Sequence, residues 1–98
     1  MVIKQVKNDK ELLVSLSGRL DTNTSTELES ALKGALDDVD SLILDFKDLD
    51  YMSSSGLRIL LTLQKQMSVK GKLTVRNVNE FIMDILNMTG FSDILNIE

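Results

Sequence analysis

Leu42-Ile43-Leu44-Asp45-Phe46 is the segment that most constrains this chain: a short, nearly continuous apolar run, as a central strand covered on both faces would show. Around it the hydrophobic period changes. Upstream, Val2-Ile3-Lys4-Gln5-Val6 reads as a strand and Asn8-Asp9-Lys10 as a turn. Leu12, Val14 and Leu16 then alternate with Leu13, Ser15 and Ser17 as a second strand ending at Gly18, and a hairpin is the natural connection. Leu28, Ala31, Leu32, Ala35 and Leu36 follow the i, i+3, i+4, i+7, i+8 spacing of a one-sided helix. Thr24 with Glu27 three residues later has the form of a capping box, Thr22 and Asn23 are alternative openings, and Asp37, Asp38 and Asp40 close the segment.

Beyond the central run, Lys47 to Met52 reads as a loop leading to Ser53-Ser54-Ser55-Gly56. Leu57, Leu60, Leu61, Leu63 and Met67 form a second amphipathic helix stopped near Gly71. Leu73, Val75 and Asn77 alternate as another strand, Asn79 caps a third helix bearing Phe81, Ile82, Ile85 and Leu86, and Gly90 ends it. Phe91 to Ile97 is a short tail expected to dock back on the sheet. The order β-β-α-β-α-β-α predicts an α/β fold: a mixed four- to five-stranded sheet, opened by a hairpin, with three helices packed on it. With 98 residues, no Pro, no low-complexity stretch and no internal repeat, one domain over residues 1–98 is expected.

Composition removes several function classes. Without Cys or His there is no thiol chemistry, no Ser-His-Asp triad, no phosphohistidine and no His-ligated zinc. A hydrolase built on Ser54 or Ser55 would lack a His base and has no convincing Lys substitute, so no catalytic residue is assigned. A net charge of −4 repels phosphate backbones, and one Tyr, three Phe and no Trp leave few rings for base stacking, so no nucleic-acid partner is expected. The acids near Asp37-Asp38-Asp40 lack calcium-loop spacing, and neither a Walker nor a G-x-G-x-x-G pattern occurs, so no metal and no cofactor is expected. Apolar runs of three or four residues cannot span a bilayer, and Met1-Val2-Ile3 leads straight into Lys4-Gln5 without a signal-like stretch. A soluble, cytoplasmic protein is the expectation.

Chemistry concentrates at Asp50-Tyr51-Met52-Ser53-Ser54-Ser55-Gly56-Leu57-Arg58, where a strand ends and a helix begins. Ligands and partners meet α/β sheets at the carboxyl ends of strands, and a helix N-terminus favours added negative charge. A serine there suits a phosphate; it equally suits a plain cap and turn. Asp21-Thr22-Asn23-Thr24 follows another strand end, and parallel strands would bring the two loops to one edge of the sheet; it also reads as a plain capping segment in which Asp21 offers local hydrogen bonds. Charge is also segregated. Tyr51 to Asn79 holds Arg58, Lys65, Lys70, Lys72 and Arg76 with no acid, whereas Asp21 to Asp50 holds nine acids against Lys33 and Lys47. Such a division could steer a charged partner, and solvated helix faces also produce it.

Over nearly its whole length the chain resembles the anti-sigma factor antagonists of the STAS-domain family. The resemblance rests on Gly18-Arg19-Leu20-Asp21, on Leu42-Ile43-Leu44-Asp45-Phe46 followed by Tyr51-Met52-Ser53-Ser54-Ser55-Gly56-Leu57, and on Met88-Thr89-Gly90-Phe91. The family carries a D-S-[ST]-G-[LIV] core after this strand, so the resemblance implies Ser55 as the phosphorylated residue, with Ser53 in place of the usual Asp. It implies a partner surface of Asp21, Thr22, Asn23, Ser53, Ser54, Gly56, Leu57 and Arg58. It further implies a switch: the unphosphorylated protein binds an anti-sigma factor serine kinase, phosphorylation releases it, and a serine phosphatase restores binding. ATP and magnesium would belong to the kinase. The alternative within the same fold is a constitutive adaptor subunit of a membrane lipid-transport complex, in which the serine is only a cap.

Overall fold

A computed structural model describes residues 1–98. The elements run β1 (Val2–Asn8), β2 (Glu11–Leu20), α1 (Thr22–Leu32), β3 (Ser41–Met52), α2 (Ser54–Ser68), β4 (Lys72–Arg76), α3 (Glu80–Thr89), a 3-10 turn (Phe91–Asp93) and β5 (Asn96–Ile97). The five strands lie side by side in chain order. β1 and β2 form the expected antiparallel hairpin, closed between Asn8 and Glu11 with Asp9 in the left-handed region at φ 59. β2, β3, β4 and β5 are mutually parallel, so the tail does dock on the sheet, pairing Val75 with Ile97.

Each parallel connection steps to the next strand in the same direction, and right-handed crossovers therefore put all three helices on one face. That face holds the core. Leu12, Val14 and Leu16 of β2, Leu42, Leu44 and Phe46 of β3, and Leu73 and Val75 of β4 meet Leu28 and Leu32 of α1, Leu60 and Leu63 of α2, and Ile82 and Leu86 of α3. The central run is thus not covered on both faces as its composition suggests. Ile43 lies on the far side between Leu13 and Thr74, buried by its strand neighbours and outside the core.

Two segment boundaries differ from the sequence reading for identifiable reasons. Residues 47–52 are strand, not loop: β3 keeps pairing with β2 through to Leu20 with Met52. Two register shifts, between Ser15 and Ser17 and between Gly18 and Arg19, each give β3 one extra residue. Its inward side chains there are Phe46, Leu49 and Met52, three apart, so the period-2 signal disappears while the ladder continues. The other correction concerns α1, which stops at Leu32 rather than Leu36. Lys33 turns extended and Gly34 takes φ 79, a conformation that ends helices at low cost only with glycine. Leu36 and Val39 are buried through the turns that follow.

Candidate functional site

The helices that follow β2 and β3 start side by side at one edge of the sheet. α1 is capped by Asp21, whose Oδ1 accepts from the amides of Asn23 and Thr24 at 3.1 Å each. The Thr24 hydroxyl returns the bond by accepting from the Asp21 amide at 2.8 Å, completing a capping box. This overturns the expected Thr24–Glu27 box: Thr24 is the third helical residue of the box, not its start, because Asp21 already holds the first-turn amides. The amide of Thr24, then its hydroxyl and the amide of Asn23, hold the Asp21 carboxyl below its ordinary value of 3.8.

α2 is capped by Ser53, whose hydroxyl accepts from the Gly56 amide at 3.3 Å while its own amide donates to the Leu20 carbonyl at 2.9 Å. Ser53 therefore supplies the capping oxygen that an aspartate would bring, and Ser and Asp cap helices about equally well. Gly56 marks the closest approach of α2 to β2: a Cβ there would lie 2.9 Å from the Leu20 carbonyl oxygen and from Met52 Cγ. Only glycine lets the helix start this near the strand ends. Ser54 points to solvent, Ser55 is half-buried, and Arg58 is exposed. Leu57 is half-buried and packs against the core.

The two loops meet through one contact. Thr22 Oγ1 lies 3.1 Å from Ser55 Oγ, a hydroxyl pair joining the first turns of α1 and α2. From that pair a cleft of about 200 Å³ runs between the helices, lined by Thr22, Ser25, Thr26 and Glu29 on one side and Ser55, Arg58, Ile59 and Thr62 on the other. Each set has the i, i+3, i+4, i+7 spacing of a single helical stripe. Asp21, Thr22 and Asn23 sit at one lip, Ser53, Ser54 and Ser55 at the other. No acidic side chain occupies the first turn of α2, so its positive end stands uncompensated beside Ser55. Flanking this edge, the Arg19 guanidinium lies 4.2 Å from the Tyr51 ring centre, and Tyr51 stacks on the exposed Phe81.

The STAS-domain family model matches residues 2–98, all but the first residue. The chain belongs to the STAS-domain family. The anti-sigma F factor antagonist of Paenibacillus polymyxa is 34% identical to it over 89 residues, covering 88% of this chain and 76% of that protein. Among solved structures, an anti-sigma factor antagonist from Mycobacterium paratuberculosis superposes with a TM-score of 0.88 at 22% identity, covering 98% of this chain and 83% of that one. The Bacillus cell fate determinant SpoIIAA in its phosphorylated form gives 0.77 at 18% identity, covering 99% and 91%. The mixed sheet with its one-sided helices is thus a STAS fold.

Within this STAS domain the sequence reading placed both lips correctly at one edge, because β2 and β3 run parallel. It missed the cleft floor. Ser25, Thr26, Glu29 and Thr62 were legible only as the polar positions that continue the Thr22 and Ser55 stripes one and two turns on. The aromatic stack beside the edge was also missed, since Arg19, Tyr51 and Phe81 come from three separate elements. The segregated charges of residues 21–50 and 51–79 form no ion pair with each other; the two ion pairs, Lys7–Asp38 and Arg76–Glu98, are exposed and each takes one partner from outside these segments. No helix is long and apolar enough to cross a membrane.

Proposed function

We propose that this STAS domain is an anti-sigma factor antagonist that docks an anti-sigma factor serine kinase on the edge formed by the starts of α1 and α2, and is released when Ser55 is phosphorylated. Asp21, Thr22, Asn23, Ser53, Ser54, Leu57 and Arg58 form the docking surface with Ser55 at its centre, and Gly56 sets how deep that surface lies. In the transfer step Ser55 Oγ forms a bond to the γ-phosphorus of the kinase's ATP, the bond to the departing ADP breaks, and the hydroxyl proton passes to a base on the kinase. A serine phosphatase reverses the modification by hydrolysis.

The observation that carries this reading is the Thr22–Ser55 hydroxyl pair. It places an accessible serine oxygen between two helix N-termini on the strand-end edge where α/β folds meet partners. The relatedness to proteins named anti-sigma factor antagonists supports the partner class. A phosphate adds about −1.5 to −2 charge, and carrying it into an interface built for a neutral hydroxyl costs several kcal/mol in desolvation and misfit. Since about 1.4 kcal/mol is tenfold in affinity, one phosphate suffices to open the complex. Incubation with the organism's own candidate kinase, ATP and magnesium tests it: the intact mass should rise by one phosphate, mapped to Ser55 and absent in Ser55→Ala. Cell-derived protein that carries no phosphate and co-purifies with a transporter ATPase would instead establish the adaptor role.

A further inference from the structure

We infer that the cleft between α1 and α2 is the seat of the Ser55 phosphate, which folds back onto Ser25, Thr22 and Arg58 of its own chain. This rests on the phosphorylation of Ser55 proposed above, and it adds where the phosphate goes and what holds it.

The cleft carries an unused donor. Ser25 is only 7% exposed and lines the cleft, and its hydroxyl bonds to no other group of the chain. A hydroxyl left unengaged by its own chain and lining the cleft is a donor available to an acceptor that enters. The cavity of about 200 Å³ is several times the roughly 30 Å³ share of one water, which leaves room for a tetrahedral phosphoryl group.

Charge agrees with that acceptor being anionic. Arg58 is one helical turn beyond Ser55, lines the same cleft, and makes no ion pair. The positive end of α2 faces the same space with no acidic residue in its first turn. Two carboxylates bear on the site. Asp21, at the lip, is engaged by the amides of its own helix, and Glu29, at the far end from the Ser55–Thr22 pair, opposes the anion.

The hydroxyl pair has a part in this as well. Phosphorylation removes the Ser55 proton and leaves Oγ an acceptor only, so Thr22 Oγ1 must donate, either to that oxygen or to a phosphoryl oxygen. The phosphate then bridges α1 and α2 instead of extending into solvent. It fills the cleft from which a partner side chain is thereby excluded.

The test uses full-length protein carrying phosphoserine installed at position 55 during translation, so that its outcome does not depend on any kinase. Phosphorus NMR follows the second ionisation of the phosphate, near pH 6 for an unconstrained phosphoserine. Donors and a guanidinium stabilise the dianion, so the folded midpoint should lie at least about half a pH unit below that of the same protein unfolded in urea. Ser25→Ala and Arg58→Ala should each move it back up, and Glu29→Gln should move it further down. Equal midpoints in folded and unfolded protein, or a Ser25→Ala midpoint unchanged from the parent, would overturn the inference. Arg58 is exposed, so its variant decides the question even where Ser25→Ala fails to fold. Failure of the kinase assay alone would count against the switch, not against the seat.

Discussion

Thr22 Oγ1 and Ser55 Oγ, 33 positions apart in sequence, sit 3.1 Å from each other and tie the first turns of α1 and α2 together. Both chain segments leave parallel neighbouring strands, and the pairing of Leu20 with Met52 puts the two helix starts side by side. Replacing Thr22 with Val keeps the shape and deletes the bond. Because the pair is exposed, the expected loss is at most about 1 kcal/mol in urea unfolding. The rate of Ser55 phosphorylation should change by more than this small destabilisation explains, since the serine loses the group that orients it.

Ser53 caps α2, its hydroxyl accepting from the Gly56 amide. Ser53→Ala should cost about 1 kcal/mol, whereas Ser53→Asp should hold or raise stability through its charge at the helix start. Urea denaturation of the two variants against the parent checks the order. A Ser53→Ala protein as stable as the parent would remove the capping role.

Gly56→Ala forces a methyl group to within 2.9 Å of the Leu20 carbonyl and of Met52 Cγ. Backbone cannot yield as a side chain can, so α2 must lift from the strand ends. The expected cost is about 1–3 kcal/mol, with weaker binding to any partner that reads the α1–α2 edge. Chemical denaturation and a binding titration on the same variant report the two effects.

Asp21 and Asp38 are the two carboxyls held below their ordinary 3.8, Asp21 chiefly by the Thr24 amide and Asp38 chiefly by the Lys7 ammonium. A lowered folded value means that the stabilisation is complete above about pH 4 and is lost as pH falls through that folded value. Asp21→Asn keeps a cap but cannot titrate. Its stability should fall less than the parent's between about pH 6 and about pH 3, measured by denaturation at each pH.

The architecture was legible because hydrophobic period and turn chemistry agreed over most of the chain. Leu12-Val14-Leu16, the Leu57–Met67 stripe and the Asn79 and Gly90 caps all appear where the pattern put them. It failed where local geometry broke the period. The extra residues in β3 moved Phe46, Leu49 and Met52 to a spacing of three, and Gly34 ended α1 inside a stripe that still looked helical. The serine and aspartate lips could be found from helix starts and strand ends. The cleft between them could not, because the facing of Ser25 against Arg58 depends on how two helices pack and on no local pattern.

Calorimetric titration of the organism's anti-sigma factor with unmodified and with Ser55-phosphorylated protein tests the central claim most directly. The phosphorylated form should bind at least about tenfold more weakly, which corresponds to about 1.4 kcal/mol. Equal affinity of the two forms would contradict the claim that the Ser55 hydroxyl gates docking.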